Sequence, residues 1–122
     1  FTRPHFDDRS NMKLPLRITF HGITRSPAIV AAIREKAEKL EQFHGRITSC
    51  AVVVEIPGRH KHKGKEFVVH IDLKVPRGEI VVTRDHHEDV FVALRDAFGA
   101  ARRKLEDTAR RKRGEVKRHS AG

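Results

Sequence analysis

Leu16, Ile18 and Phe20 alternate with Arg17, Thr19 and His21, the period-two pattern of a strand with one buried face. Ser26-Pro27 then predicts a helix start. The serine oxygen can accept from exposed amides, and proline suits the first helical position, where its missing N–H costs nothing. Ile29, Ile33, Ala37 and Leu40 recur at helical spacing and Phe43 continues the stripe, while Arg34, Glu35, Lys36, Glu38, Lys39 and Glu41 fill the opposite face. Glu35 and Lys39 have the acid-before-base spacing that supports a helix surface. His44-Gly45 predicts the end, with the glycine turning left-handed.

The β-branched run 47–56 (ITSCAVVVEI) reads as a second strand. Phe67, Val69, Ile71, Leu73 and Val75 alternate with Glu66, Val68, His70, Asp72 and Lys74 in a third. Pro76-Arg77-Gly78 is a turn into a shorter fourth strand, Glu79–Thr83. These three strands predict an antiparallel meander with residues 57–65 at the tip of its first hairpin. A second helix is expected to begin near Asp85–Asp89, where acids complement the positive end of the helix dipole. Val90, Phe91, Leu94, Ala97, Phe98, Ala101 and Leu105 give it a broad apolar stripe, and beyond Ala109 only Val116 is strongly apolar. The fold class is therefore α+β, in the order βαβββα, a four-stranded sheet with two helices packed on one face. Residues 13–109 form the domain; 1–12 read as a disordered leader or a remnant of expression, and 110–122 as a basic C-terminal extension.

With 122 residues, 38% of them hydrophobic, the chain supports one domain with a modest core. No apolar run spans a membrane and no signal peptide is visible, so a cytoplasmic protein without a membrane partner is expected. The single cysteine, Cys50, excludes an internal disulfide and sits where a buried, inert thiol is expected.

Charge changes the picture most. Of the net +10, residues 57–65 supply +4 through Arg59, Lys61, Lys63 and Lys65. Residues 102–118 supply +6, and the remainder balances at 13 basic and 13 acidic residues. Two concentrated sources of positive charge point to a polyanion, and RNA is the expected partner. In the run Arg102-Arg103-Lys104, Arg110-Arg111-Lys112-Arg113 and Lys117-Arg118, arginine offers a planar fork for phosphate and lysine a flexible point charge. On a helix, Arg103 and Lys104 are expected to flank the stripe at Leu105, with Arg102 further round.

Other chemistry is poorly supplied. His60 and His62 make an isolated HxH among four cations, which oppose a divalent ion, so the loop reads as a phosphate-contacting hairpin tip and no metal site is expected. His86-His87 could serve a nuclease as acid and base, but no carboxylate cluster or oriented nucleophile accompanies them. They read as polar residues at a helix start. No catalytic residue, cofactor or small-molecule substrate is expected. A base-stacking sheet is set aside because Phe20 and Phe67 fall on the buried pattern; a GxxG loop and zinc-finger cysteines are absent from the chain. What remains is recognition by shape and backbone charge.

The stretches RITFHGITRSPAIVAAIREKAEKLEQFHGRI (17–47), VVVEI (52–56) and FVVHIDLKVPRGEIVVTRDHHEDVFVALRDAFGAARRKL (67–105) resemble one family. It is that of the ribosome hibernation-promoting factors and ribosome-associated translation inhibitors, the sigma-54 modulation protein family. The resemblance spans roughly residues 13–113 and rests on the order and spacing of all segments. It implies a non-catalytic inhibitor that binds the decoding region of the small ribosomal subunit and its rRNA. There it would block mRNA and tRNA and silence idle ribosomes in starved or stationary-phase cells under stress. Carried onto this chain, the family's positive surface implies Arg25, Lys36, Lys39, Arg103 and Lys104. Arg102, Arg110, Arg111, Lys112 and Arg113 are added from this chain's own charge.

The chain departs from the family at Phe91, where many members have tyrosine, and at Arg95, commonly an acid. Its loop 57–65 is longer and more basic than in short members. Ending near 122, it is expected to be a short form without the dimerisation domain of long members, and a monomer off the ribosome. The alternatives are a general structured- or double-stranded-RNA binder of chaperone type, and a small ribonuclease.

Overall fold

The computed structural model describes residues 15–57, 66–76, 78–87 and 89–110. Residues 1–14, most of the basic loop and the extension beyond 110 lie outside them. The elements are β1 (Leu16–His21), α1 (Pro27–Phe43), β2 (Ser49–Glu55), β3 (Glu66–Val75), β4 (Gly78–His87) and α2 (Val90–Arg110). This is the βαβββα order read from the hydrophobic pattern.

The strands form one sheet in the order β1-β2-β3-β4. β1 lies parallel to β2, because α1 carries the chain back before the second strand begins. β2–β3 and β3–β4 are antiparallel. Register stacks the apolar positions in rows across the sheet: Leu16, Cys50, Leu73 and Ile80; Ile18, Val52, Ile71 and Val82; Phe20, Val54 and Val69. Both helices cover this face. α1 buries Ile29, Ile33, Ala37 and Leu40; α2 buries Val90, Leu94, Phe98 and Leu105 with Ala93, Ala97, Ala100 and Ala101 between them. Since β1 and β4 run the same way and each hands the chain to a helix on the same face, α1 and α2 run the same way too.

Three local readings change. β4 extends to His87 rather than stopping at Thr83, because the ten residues of β3 would otherwise leave backbone groups unpaired. Asp85 and His86 thus lie on a strand, His86 opposite Phe67. The helix start belongs to Asp89, whose Oδ1 accepts from the amides of Phe91 and Val92 at 3.0 and 3.3 Å. α1 ends on His44 in extended backbone, its N–H donating to the Leu40 carbonyl at 2.9 Å, and Gly45 is not left-handed. Gly22 is instead the described glycine with positive φ, +75°. A Cβ there would meet the Ile56 carbonyl oxygen at 2.7 Å, so the exit from β1 lies tight against the end of β2.

The other face of the sheet is covered by no described element. Register places Glu55, Glu66, Asp72, Glu79 and Asp85 on it against Arg17 and Lys74. The His70 ring bridges Glu55 Oε2 and Thr83 Oγ1, each at 3.1 Å. Burial, the hydrogen bond with Glu79 and that acid's charge raise the Asp72 carboxyl above the ordinary aspartate range, against the opposing pull of Lys74.

Candidate nucleic-acid interface

The described residues carry 13 Lys/Arg and 12 Asp/Glu, so among them the charges nearly balance. What these residues offer a polyanion therefore depends on how their charges are segregated. Helical geometry does this between α1 and α2. Lys36, Lys39 and Phe43, three and four residues apart, share the side of α1 that meets α2. On α2, Phe98 and Gly99, with Arg102 one turn further on, face them.

Between these residues lies an open groove of about 490 Å³, lined by Lys36, Lys39, Leu40, Gln42, Phe43, Phe98, Gly99 and Arg102. Three cations line it and no carboxylate does. Leu40 and Phe98, both core residues, give it an apolar floor. Phe43 is 40% exposed, and the Arg102 guanidinium lies over its ring, 4.4 Å from the centroid. Glu35 pairs with Lys39 at 3.9 Å, but both side chains are highly exposed and the pair is weak. Phe43 also borders a second depression with His44, Leu105, Glu106, Ala109 and Arg110, which does contain an acid.

The basic residues singled out along the chain separate here into distinct places. Lys36, Lys39 and Arg102 come together in the groove. Arg102, four residues after Phe98 and three before Leu105, lies beside the apolar stripe, not further round from it, and its guanidinium sits over Phe43. Lys104 turns to the opposite side of α2 and donates to the Val81 carbonyl on edge strand β4 at 3.2 Å. Arg103 is exposed, with Nη1 passing 3.8 Å from where a Gly99 Cβ would sit. Arg25 stands at the other end of α1 over the Phe20 ring, at 5.6 Å, and does not line the groove. Arg110 pairs with Asp107 at 3.8 Å. Arg59, Lys61, Lys63, Lys65, Arg111, Lys112 and Arg113 lie outside the described residues. Phe43 and Gly99 were not evident as site residues: Phe43 reads as the last member of a core stripe, and only the pairing of the helices exposes its ring.

Among the described residues no cluster of His, Cys, Asp or Glu could hold a metal ion. The Cys50 thiol is buried and pushed up to about 12, first by desolvation and then by the charge of Asp72, which makes it a poor nucleophile. No helix among the described residues is long and apolar enough to cross a membrane.

The family model for the sigma 54 modulation protein / S30EA ribosomal protein matches residues 16–113, all six elements included. The chain belongs to this family. Solved structures share the fold of this S30EA-family chain. A ribosomal subunit interface protein from Coxiella burnetii superposes with a TM-score of 0.68 at 14% identity, covering 79% of this chain and 98% of that one. The Protein Y N-terminal domain of Thermus thermophilus does so with a TM-score of 0.65 at 15% identity, covering 78% and 99%. No curated protein sequence matches the chain. The segment resemblance read along the chain and the family model thus agree.

Proposed function

We propose that this S30EA-family chain is a non-catalytic, ribosome-binding translation inhibitor that occupies the decoding region of the small subunit and excludes mRNA and tRNA. The observation that carries the reading is the carboxylate-free, cation-lined groove between α1 and α2, among described residues whose charges nearly balance. Family membership supplies the ribosomal address, and the match to a ribosomal subunit interface protein is consistent with it. Inhibition of this kind needs no bond chemistry. A rigid domain seated on rRNA phosphates fills the space that mRNA and tRNA need, and the family's cytoplasmic setting follows. In cells, the role is that of a hibernation factor for idle ribosomes under stress.

The test is sedimentation of the pure protein with small subunits and whole ribosomes across a salt series, with mRNA or tRNA as competitor. Association with the small subunit that weakens with salt and is relieved by competitor is expected. Absence of small-subunit association at low salt would sink the reading. Equal affinity for an arbitrary RNA duplex would turn it into general RNA binding.

A further inference from the structure

We propose that the α1–α2 groove is a pocket for one unstacked nucleobase of a single-stranded RNA segment, with Phe43 and Arg102 as its stacking wall. The proposal rests on the RNA-binding reading and deepens it, from a surface that feels backbone charge to one that takes a base. A purely phosphate-binding surface needs cations on an open slope. Here the cations rim an apolar floor of Leu40 and Phe98, in an open groove of about 490 Å³ that has room for a base.

Each part matches what single-stranded recognition requires. An exposed aromatic ring layered with a guanidinium gives a base a π-face and a cationic plane to stack on. Lys36 and Lys39 stand at the rim, where the phosphates flanking an inserted base would pass. Gln42 offers an amide that can both donate to and accept from a base edge. Gly99 is the most telling. A glycine in the interior of a helix costs about 0.5–1 kcal/mol relative to alanine, and here the only neighbour a Cβ would approach is the Arg103 guanidinium, at 3.8 Å. Packing therefore does not demand it, whereas a large side chain at this lining position would encroach on the groove. The second depression beside Phe43 is excluded as the base site, because Glu106 lines it and would repel the flanking phosphates.

An eight-nucleotide single-stranded RNA carrying one 2-aminopurine, and the same sequence as a duplex, are titrated against the full chain and against Phe43→Leu, Phe43→Tyr and Gly99→Leu. Wild type should quench the 2-aminopurine and prefer the single strand. Phe43→Leu should lose roughly 5- to 150-fold in affinity, the usual worth of one base–aromatic stack. It should lose the quench but keep the salt slope. Phe43→Tyr should restore both, and Gly99→Leu should lose the quench with every cation in place. Equal or tighter binding of the duplex, or unchanged quenching in both Phe43→Leu and Gly99→Leu, overturns the proposal. Ribosome sedimentation of the same variants separates the two readings. Ribosome association without base quenching removes only the base pocket, and quenching without ribosome association removes only the ribosomal address.

Discussion

Neutralising Lys36, Lys39 and Arg102 together, each to glutamine, tests whether the groove is the RNA footprint. A cation that neutralises a phosphate contributes about 0.7 to the slope of log affinity against log salt on single strands and about 0.9 on duplexes. The three cations that line the groove therefore carry a slope of about 2 to 3 between them. At 0.1 M salt this amounts to a hundredfold or more in affinity, roughly 3–4 kcal/mol. The fold should hardly notice. The triple variant gives up one exposed cation–π contact at 4.4 Å and one exposed ion pair at 3.9 Å, together about 1 kcal/mol. Lys104→Gln is the internal control, since that ammonium lies at the edge of β4 and not in the groove, and it should change the slope by less than one contact. The assay is ribosome co-sedimentation at five or so salt concentrations, with circular dichroism to verify folding. A folded triple variant with the wild-type slope would refute the assignment and shift the footprint to the basic loop and C-terminal extension.

Two further outcomes test the fold beneath the site. Gly22→Ala places a side chain at φ +75° with its Cβ 2.7 Å from the Ile56 oxygen, and should cost at least about 1–3 kcal/mol in urea unfolding; an unchanged midpoint would show that the β1 exit relaxes freely. Asp72 has a raised carboxyl in the fold, so the native state binds more protons than the unfolded chain between the ordinary aspartate pKa and the raised one, and stability falls as pH climbs through that window. Asp72→Asn removes this loss: its Tm should match wild type in acid and exceed it increasingly above about pH 4, and a gap that is absent or reversed refutes the sign.

Much of the architecture was legible because β1, β3 and the two helices each bury one face against a core, which forces period two or period 3.6 onto Ile18, Ile71, Ile33 and Leu94. The boundaries were less so. The extra length of β4 comes from the backbone of β3, a partner that no local pattern at Asp85–His87 announces. α1 stops at an extended His44 whose N–H satisfies the Leu40 carbonyl, so the adjacent Gly45 had no left-handed turn to make. The cations were visible one by one, but their grouping was not. Arg102, Arg103 and Lys104 are neighbours in sequence and lie about 100° apart around a helix, so one reaches Phe43, one solvent and one the edge of β4. The groove pairs Lys36 with Arg102, residues from opposite ends of the fold's order, and only the shared direction of the helices brings them together.

The uncovered sheet face, with five carboxylates against Arg17 and Lys74, sets the valence of the domain. A particle basic on every side can hold two RNA segments at once, and at high concentration it crosslinks and precipitates them. If the groove binds RNA as proposed, the acidic side would turn a second strand away and orient the incoming domain groove-first. On that reading, adding more of the protein would fill sites one by one rather than glue RNA to RNA. A factor of that kind, present in excess over its target, would saturate it without crosslinking it.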